Sequence, residues 1–110
     1  MINQHHKEYK ERVRLLLRII PIISTEECFA VHGGTAINLF VQNLPRYSVD
    51  IDLTYIPVEP RGASLAHIKE RLKEIKAKIE ATIPGIAVRE VPNKLICTHN
   101  GHFVKVEVND

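Results

Sequence analysis

Near the N-terminus Tyr9, Val13, Leu16, Leu17 and Ile20 fall at i, i+4, i+7, i+8 and i+11, the apolar stripe of an amphipathic helix. Lys7, Lys10, Arg12, Arg14 and Arg18 take the other faces. Pro21 has no amide hydrogen and is expected to end or kink this helix near Ile20. The short apolar run Cys28-Phe29-Ala30-Val31, followed by Gly33-Gly34, predicts a buried first strand. Helical spacing returns from Thr35 to Asn43 through Ala36, Ile37, Phe40 and Val41, and Pro45 stops it. From Ser48 to Thr54 the chain alternates strictly, the period of a half-buried strand. Val49, Ile51 and Leu53 then face the core, and Asp50 and Asp52 share the opposite face.

The stretch from Ile56 to Gly62, with Pro57 and Pro60, reads as a turn-rich connection. Beyond it Leu65, Ile68, Leu72, Ile75 and Ile79 advance in steps of three and four, predicting a long helix from Ala63 to Thr82. Its outer face mixes Lys69, Arg71, Lys73, Lys76 and Lys78 with Glu70, Glu74 and Glu80, a solvated charged surface. Pro84-Gly85 turns the chain into three short strands, Ile86–Val91, Leu95–Thr98 and Phe103–Val108. Asn100-Gly101 between the last two is a hairpin signal that requires positive φ at both positions. The order helix, strand, helix, strand, long helix and strand meander predicts an α+β fold (α/β-like). Its centre is a mixed β-sheet with helices packed mainly on one face.

The length of 110 residues fits one domain, residues 1–110, with one core. A net charge of +2 with six histidines gives no general signature of nucleic-acid binding. No apolar run reaches the ~18 residues of a membrane span, and the polar N-terminus does not resemble a signal peptide. Cys28 and Cys97 lack metal-site spacing and lie in apolar surroundings, which favours buried thiols in a reducing cytoplasm.

The chemistry concentrates between His32 and Leu53. Two residues of strand separate Asp50 from Asp52 by roughly 6.5 Å of backbone on one face. Adjacent like charges repel, and aspartate is disfavoured in strands, so a cation is expected to offset them. The bland alternative is a solvated edge strand. In Phe103–Asn109 the valines Val104, Val106 and Val108 share one face and Lys105 and Glu107 the other, so Glu107 joins the aspartates if the strands are neighbours. Three carboxylates suit two divalent cations in phosphoryl chemistry, and hard oxygen donors select Mg²⁺ or Mn²⁺. His32-Gly33-Gly34-Thr35 stands where a strand feeds a helix. There glycines and free amides favour phosphate, although Gly-Gly also serves a plain tight turn and Thr35 a simple N-cap.

Gly33-Gly34-Thr35, then Arg46-Tyr47-Ser48-Val49-Asp50-Ile51-Asp52-Leu53, then Lys105-Val106-Glu107-Val108-Asn109, resemble the nucleotidyltransferase superfamily. More narrowly they resemble its AbiEii/AbiGii toxin branch from abortive-infection and toxin–antitoxin loci. The resemblance covers residues 28–110 and implies a nucleotidyltransferase-type sheet. It implies that Gly33, Gly34 and Thr35 hold the triphosphate, with Arg46, Ser48 and Lys105 at nucleotide-binding positions. Asp50, Asp52 and Glu107 would be the catalytic, metal-binding acids, and Glu107 would also help activate the acceptor hydroxyl. The family continues into a helical C-terminal region, so the resemblance implies either that this chain is the N-terminal part of a longer protein or that it is a split or minimal member. The gap from Gly34 to Asp50 is also longer than in minimal members.

The expectation is therefore a cytoplasmic, metal-dependent toxin that transfers NMP from an NTP to a hydroxyl of RNA or protein and is restrained by a cognate antitoxin. One alternative is a non-catalytic, antitoxin-like binding module acting through protein contacts. Another is a different two-metal phosphoesterase.

Overall fold

The computed structural model describes residues 4–31 and 49–109, without the side chains of residues 4–9, 49 and 50. Helix α1 spans Gln4–Ile23 and helix α2 Arg61–Thr82. The strands are β1 (Phe29–Val31), β2 (Val49–Tyr55), β3 (Ala87–Val91), β4 (Lys94–His99) and β5 (His102–Asn109). They form one mixed sheet in the order β1-β2-β5-β4-β3. Strands β2 and β5 run parallel, and every other pair is antiparallel. Parallel neighbours need a crossover. Here α2 and the β3–β4 hairpin supply it, returning the chain to lay β5 beside β2.

Both helices share one apolar core with the sheet. α1 lies against β5 and β2, and α2 against β3 and β4. Leu16, Ile19 and Ile23 of α1 meet Ile68, Leu72, Ile75 and Ile79 of α2 over Ile51, Leu53, Leu95, Cys97, Val104 and Val106, all essentially inaccessible to water. The expected α+β architecture, with helices on one face of a mixed sheet, is what the chain adopts.

The long helix follows its expected stripe, with Ile68, Leu72, Ile75 and Ile79 buried. The first helix follows its stripe only in part, with Leu16 buried and Ile20 packed on the core. Its inward face carries Leu15, Leu16, Ile19, Ile22 and Ile23, with the stem of Arg12 buried beside them, while Leu17 is 51% exposed. Arg12 therefore belongs to the inner face and Leu17 to the outer. The apolar arc of this helix is wide enough for two stripes to satisfy the period, and the sheet selects one.

Pro21 neither ends nor breaks the helix at Ile20, because it stands in the last turn. Only the carbonyl of exposed Leu17 loses a donor there. Ser24 then closes the end through its amide and hydroxyl, both donated to the Ile20 carbonyl at 2.9 and 3.0 Å. Thr25 Oγ1 donates to the Ile22 carbonyl at 2.7 Å. Lys78 Nζ of α2 reaches Thr25 Oγ1 and Glu26 Oε1, each at 2.9 Å. Glu26 is thus a buried carboxylate with a partner, the condition under which burial is tolerated.

β1 is an edge strand among the described residues, and the expectation of a buried first strand holds for Phe29 but not for exposed Ala30. Both cysteines are free thiols. Cys97 is buried, which pushes its thiol up to about 12, whereas Cys28 is only partly covered. No helix among the described residues is long and apolar enough to cross a membrane.

Candidate active site

The sheet face opposite the helices is assembled from alternate residues of β2, β5, β4 and β3. On β2, Ile51 and Leu53 are fully buried on the helix side, which turns Asp52 outward, half-buried. On β5, Val104, Val106 and Val108 are buried, and Lys105 and Glu107 point the other way. Parallel pairing sets Asp52 directly against Glu107, and Asp50 against Lys105. Neighbouring strands lie about 4.8 Å apart, so the two carboxylates spring from adjacent backbone positions.

The antiparallel β4–β5 pair continues these rows. Glu107 faces Lys94, and Lys105 faces Ile96. Lys94 Nζ lies 4.0 Å from Glu107 Oε1. One row across the sheet therefore reads Asp52, Glu107, Lys94, two acids closed by an ammonium. The next row reads Asp50, Lys105, Ile96 and then Arg89 of β3.

Sequence reasoning missed Lys94, yet the signal was present. Asn100 and Gly101 both have positive φ, 50° and 81°, as the hairpin requires, and they seat His99 against His102. Counting back equally along both strands from that pair places Lys94 opposite Glu107.

Among the described residues no three His, Cys, Asp or Glu side chains come close enough together to hold a metal ion. The side chain of Asp50 lies outside the description, leaving Asp52 and Glu107 as the described acids of the expected set. Their oxygen donors fit a hard divalent cation, and the lysine ammonium beside Glu107 already holds positive charge there.

Gly33, Gly34, Thr35, Arg46 and Ser48 lie outside the described residues, as does the helix expected over Thr35–Asn43. The ends of the flanking strands are defined. Val31 is registered against Leu53, beside Asp52, and Ser48 immediately precedes Val49. Lys105 is half-buried in the row of Asp50.

A second polar group, also missed from sequence, braces the far end of β2. Tyr55 packs its ring on Phe29, centroids 5.9 Å apart. Its hydroxyl donates to Glu59 Oε1 at 2.5 Å. His67 Nδ1 of α2 lies 3.0 Å from Glu59 Oε2. The Tyr55 hydroxyl first, and the His67 ring second, hold the Glu59 carboxyl below the usual carboxylate range. The same bond, with a smaller contribution from burial, pushes Tyr55 up to about 12. This network ties the loop after β2 to the start of α2.

A helix-backed mixed sheet, with acids adjacent on parallel strands of the face opposite α1 and α2, is a nucleotidyltransferase-like α+β fold. Residues 14–109 match the family described as nucleotidyl transferase AbiEii toxin of type IV toxin–antitoxin systems, and the chain belongs to that family. The chain matches no curated protein and no solved structure.

Proposed function

We propose that this chain is a metal-dependent nucleotidyltransferase domain that transfers NMP from an NTP to a hydroxyl of RNA or protein, acting as the toxin of a pair restrained by a cognate antitoxin. The observation that carries the reading is the register of Asp52 against Glu107 on the face opposite α1 and α2. In the transfer, the acceptor oxygen bonds to the α-phosphorus as the bond to the β-phosphate's bridging oxygen breaks, and pyrophosphate leaves. Asp50, Asp52 and Glu107 hold the divalent ions, and Glu107 also draws the proton from the acceptor hydroxyl. Bound Mg²⁺ or Mn²⁺ supplies charge neutralisation for the triphosphate. Gly33, Gly34 and Thr35 cradle the phosphates, with Arg46, Ser48 and Lys105 completing the nucleotide contacts. Lys94 offsets the charge of the acids while no cation is bound. Positioning and electrostatic stabilisation account for most of the catalysis in phosphoryl transfer, and these residue types provide both.

The test is label transfer from each α-labelled NTP to total RNA and total protein, comparing the parent with Asp52→Asn and Glu107→Gln. The expected result is labelled acceptor with one or more NTPs in the parent, reduced at least about a hundredfold, about 2.7 kcal/mol of barrier, in either variant. Melting in EDTA separates function from folding. Like charges directly opposite are destabilising, so Asp52→Asn, which leaves the Lys94–Glu107 pair intact, should melt at or above the parent temperature. Glu107→Gln, which loses that partly exposed pair, should keep its stability within about 1 kcal/mol of the parent. A variant that melts well below it would make the acids structural. No labelled acceptor with any NTP, despite nucleotide binding, would point to the binding module instead.

A further inference from the structure

Away from the acidic face, α1 and the β4–β5 hairpin flank a half-open cavity of about 190 Å³ lined by Glu11, Arg14, Arg18, His99, Asn100 and His102. Val104, Val106 and Val108 share the helix side of β5 with His102, so the cavity lies on the face opposite Asp52 and Glu107. Along β5 it stands roughly 16 Å from Glu107 at the usual rise per residue. We propose that this cavity is a binding site for a phosphate group, separate from the acidic pair and not dependent on the function assigned to it.

Two observations point to an oxyanion. Two guanidiniums outnumber the single carboxylate, and Glu11 engages only Nη1 of Arg14, at 3.0 Å. An arginine carries five donors in a planar fork that suits phosphate. No ion pair among the described residues engages Arg18. Nδ1 of His102 is covered by protein atoms and has no hydrogen-bond partner among the described residues, so His102 lines the cavity through the rest of its ring. Nε2 of His99 lies 3.2 Å from the Pro84 carbonyl and donates to it, which fixes that ring at the rim.

The size limits the occupant. At about 190 Å³ the cavity falls below the 300–1,000 Å³ typical of sites for whole small molecules, a size that suits one compact group. Charge-assisted hydrogen bonds from arginine are the strong kind, and two forks match the several oxygens of a phosphate. The source is either a phosphodiester of a polynucleotide or free phosphate.

Amide chemical-shift titrations of the full chain test this, with inorganic phosphate in one arm and a short oligouridylate in the other. The parent should give saturable shifts at His99, Asn100, Gly101 and His102 and along α1 from Arg14 to Arg18. Arg18→Glu should weaken binding by at least about tenfold. Arg18 is exposed, so the core is untouched by the change. Arg14→Gln, also at an exposed position, provides a second variant and should weaken binding in the same direction. Shifts of these amides by oligouridylate at lower concentration than by phosphate would assign a polynucleotide source, and shifts by phosphate alone a free one. Unmoved amides in both arms, or affinity unchanged in both variants, would overturn the proposal.

Discussion

Tyr55 and Glu59 bind each other through one hydrogen bond that shifts both pKa values in the direction of their bonded forms. The signs are opposite. Glu59 titrates below its unfolded value, so its contribution to stability is present above the ordinary glutamate pKa and is lost as pH falls through the folded one. Tyr55 titrates above its unfolded value, so its contribution is present below pH about 10 and is lost as pH rises through about 12. Carbon-13 titration of the Glu59 carboxyl should give a midpoint below that of solvent-exposed glutamates. Tyr55→Phe should move that midpoint up, leaving His67 as the remaining depressing partner. A midpoint indifferent to the hydroxyl would mean that the bond does not persist in solution. Lys94 makes the complementary point about legibility: its place beside Glu107 follows from turn chemistry alone, but only once the hairpin is used to set the register.

Among the elements, the turns carried the most reliable local information. Asn100-Gly101 was legible because only a few residues tolerate two successive positive φ angles, and the register of β4 against β5 follows from that turn. The Pro92-Asn93 turn between β3 and β4 was less evident. There proline fixes a negative φ and Asn93 takes +57°, the sign pattern of a type II turn.

Two glycines separate conformational strain from simple helix propensity. Gly101, at φ +81°, has open space where a Cβ would stand, so Gly101→Ala meets no clash and only the left-handed penalty, about 1–2 kcal/mol of lost stability. Gly62, in the first turn of α2, has equal space and no such φ, so Gly62→Ala should gain about 0.5–1 kcal/mol. Urea denaturation of both variants checks the pair, and a shift of the same sign in each would contradict this account. Helix α1 illustrates the limit of periodicity: the apolar residues from Leu15 to Ile20, interrupted by Arg18, support two stripes, and contacts with β2, β5 and α2 decide which is buried.

At the scale of the whole molecule, the alternation of β2 and β5 told which residues share a face, and the resemblance to the family placed the acids in one site. Neither told which strand lies beside which. The parallel contact of β2 with β5 closes across a segment of chain longer than α2 itself, and it is fixed by burial of Ile51 and Leu53 against Val106 and Val108 under α1. That contact brings Asp52 to Glu107. The most direct test of the account is therefore paramagnetic broadening by Mn²⁺ of the amide spectrum of the full chain. The account predicts broadening centred on Ile51–Leu53 and Val106–Val108, weakened in both Asp52→Asn and Glu107→Gln, with α2 and the outer strand β3 spared. Broadening that spares those two segments, or that persists unchanged in both variants, would contradict it.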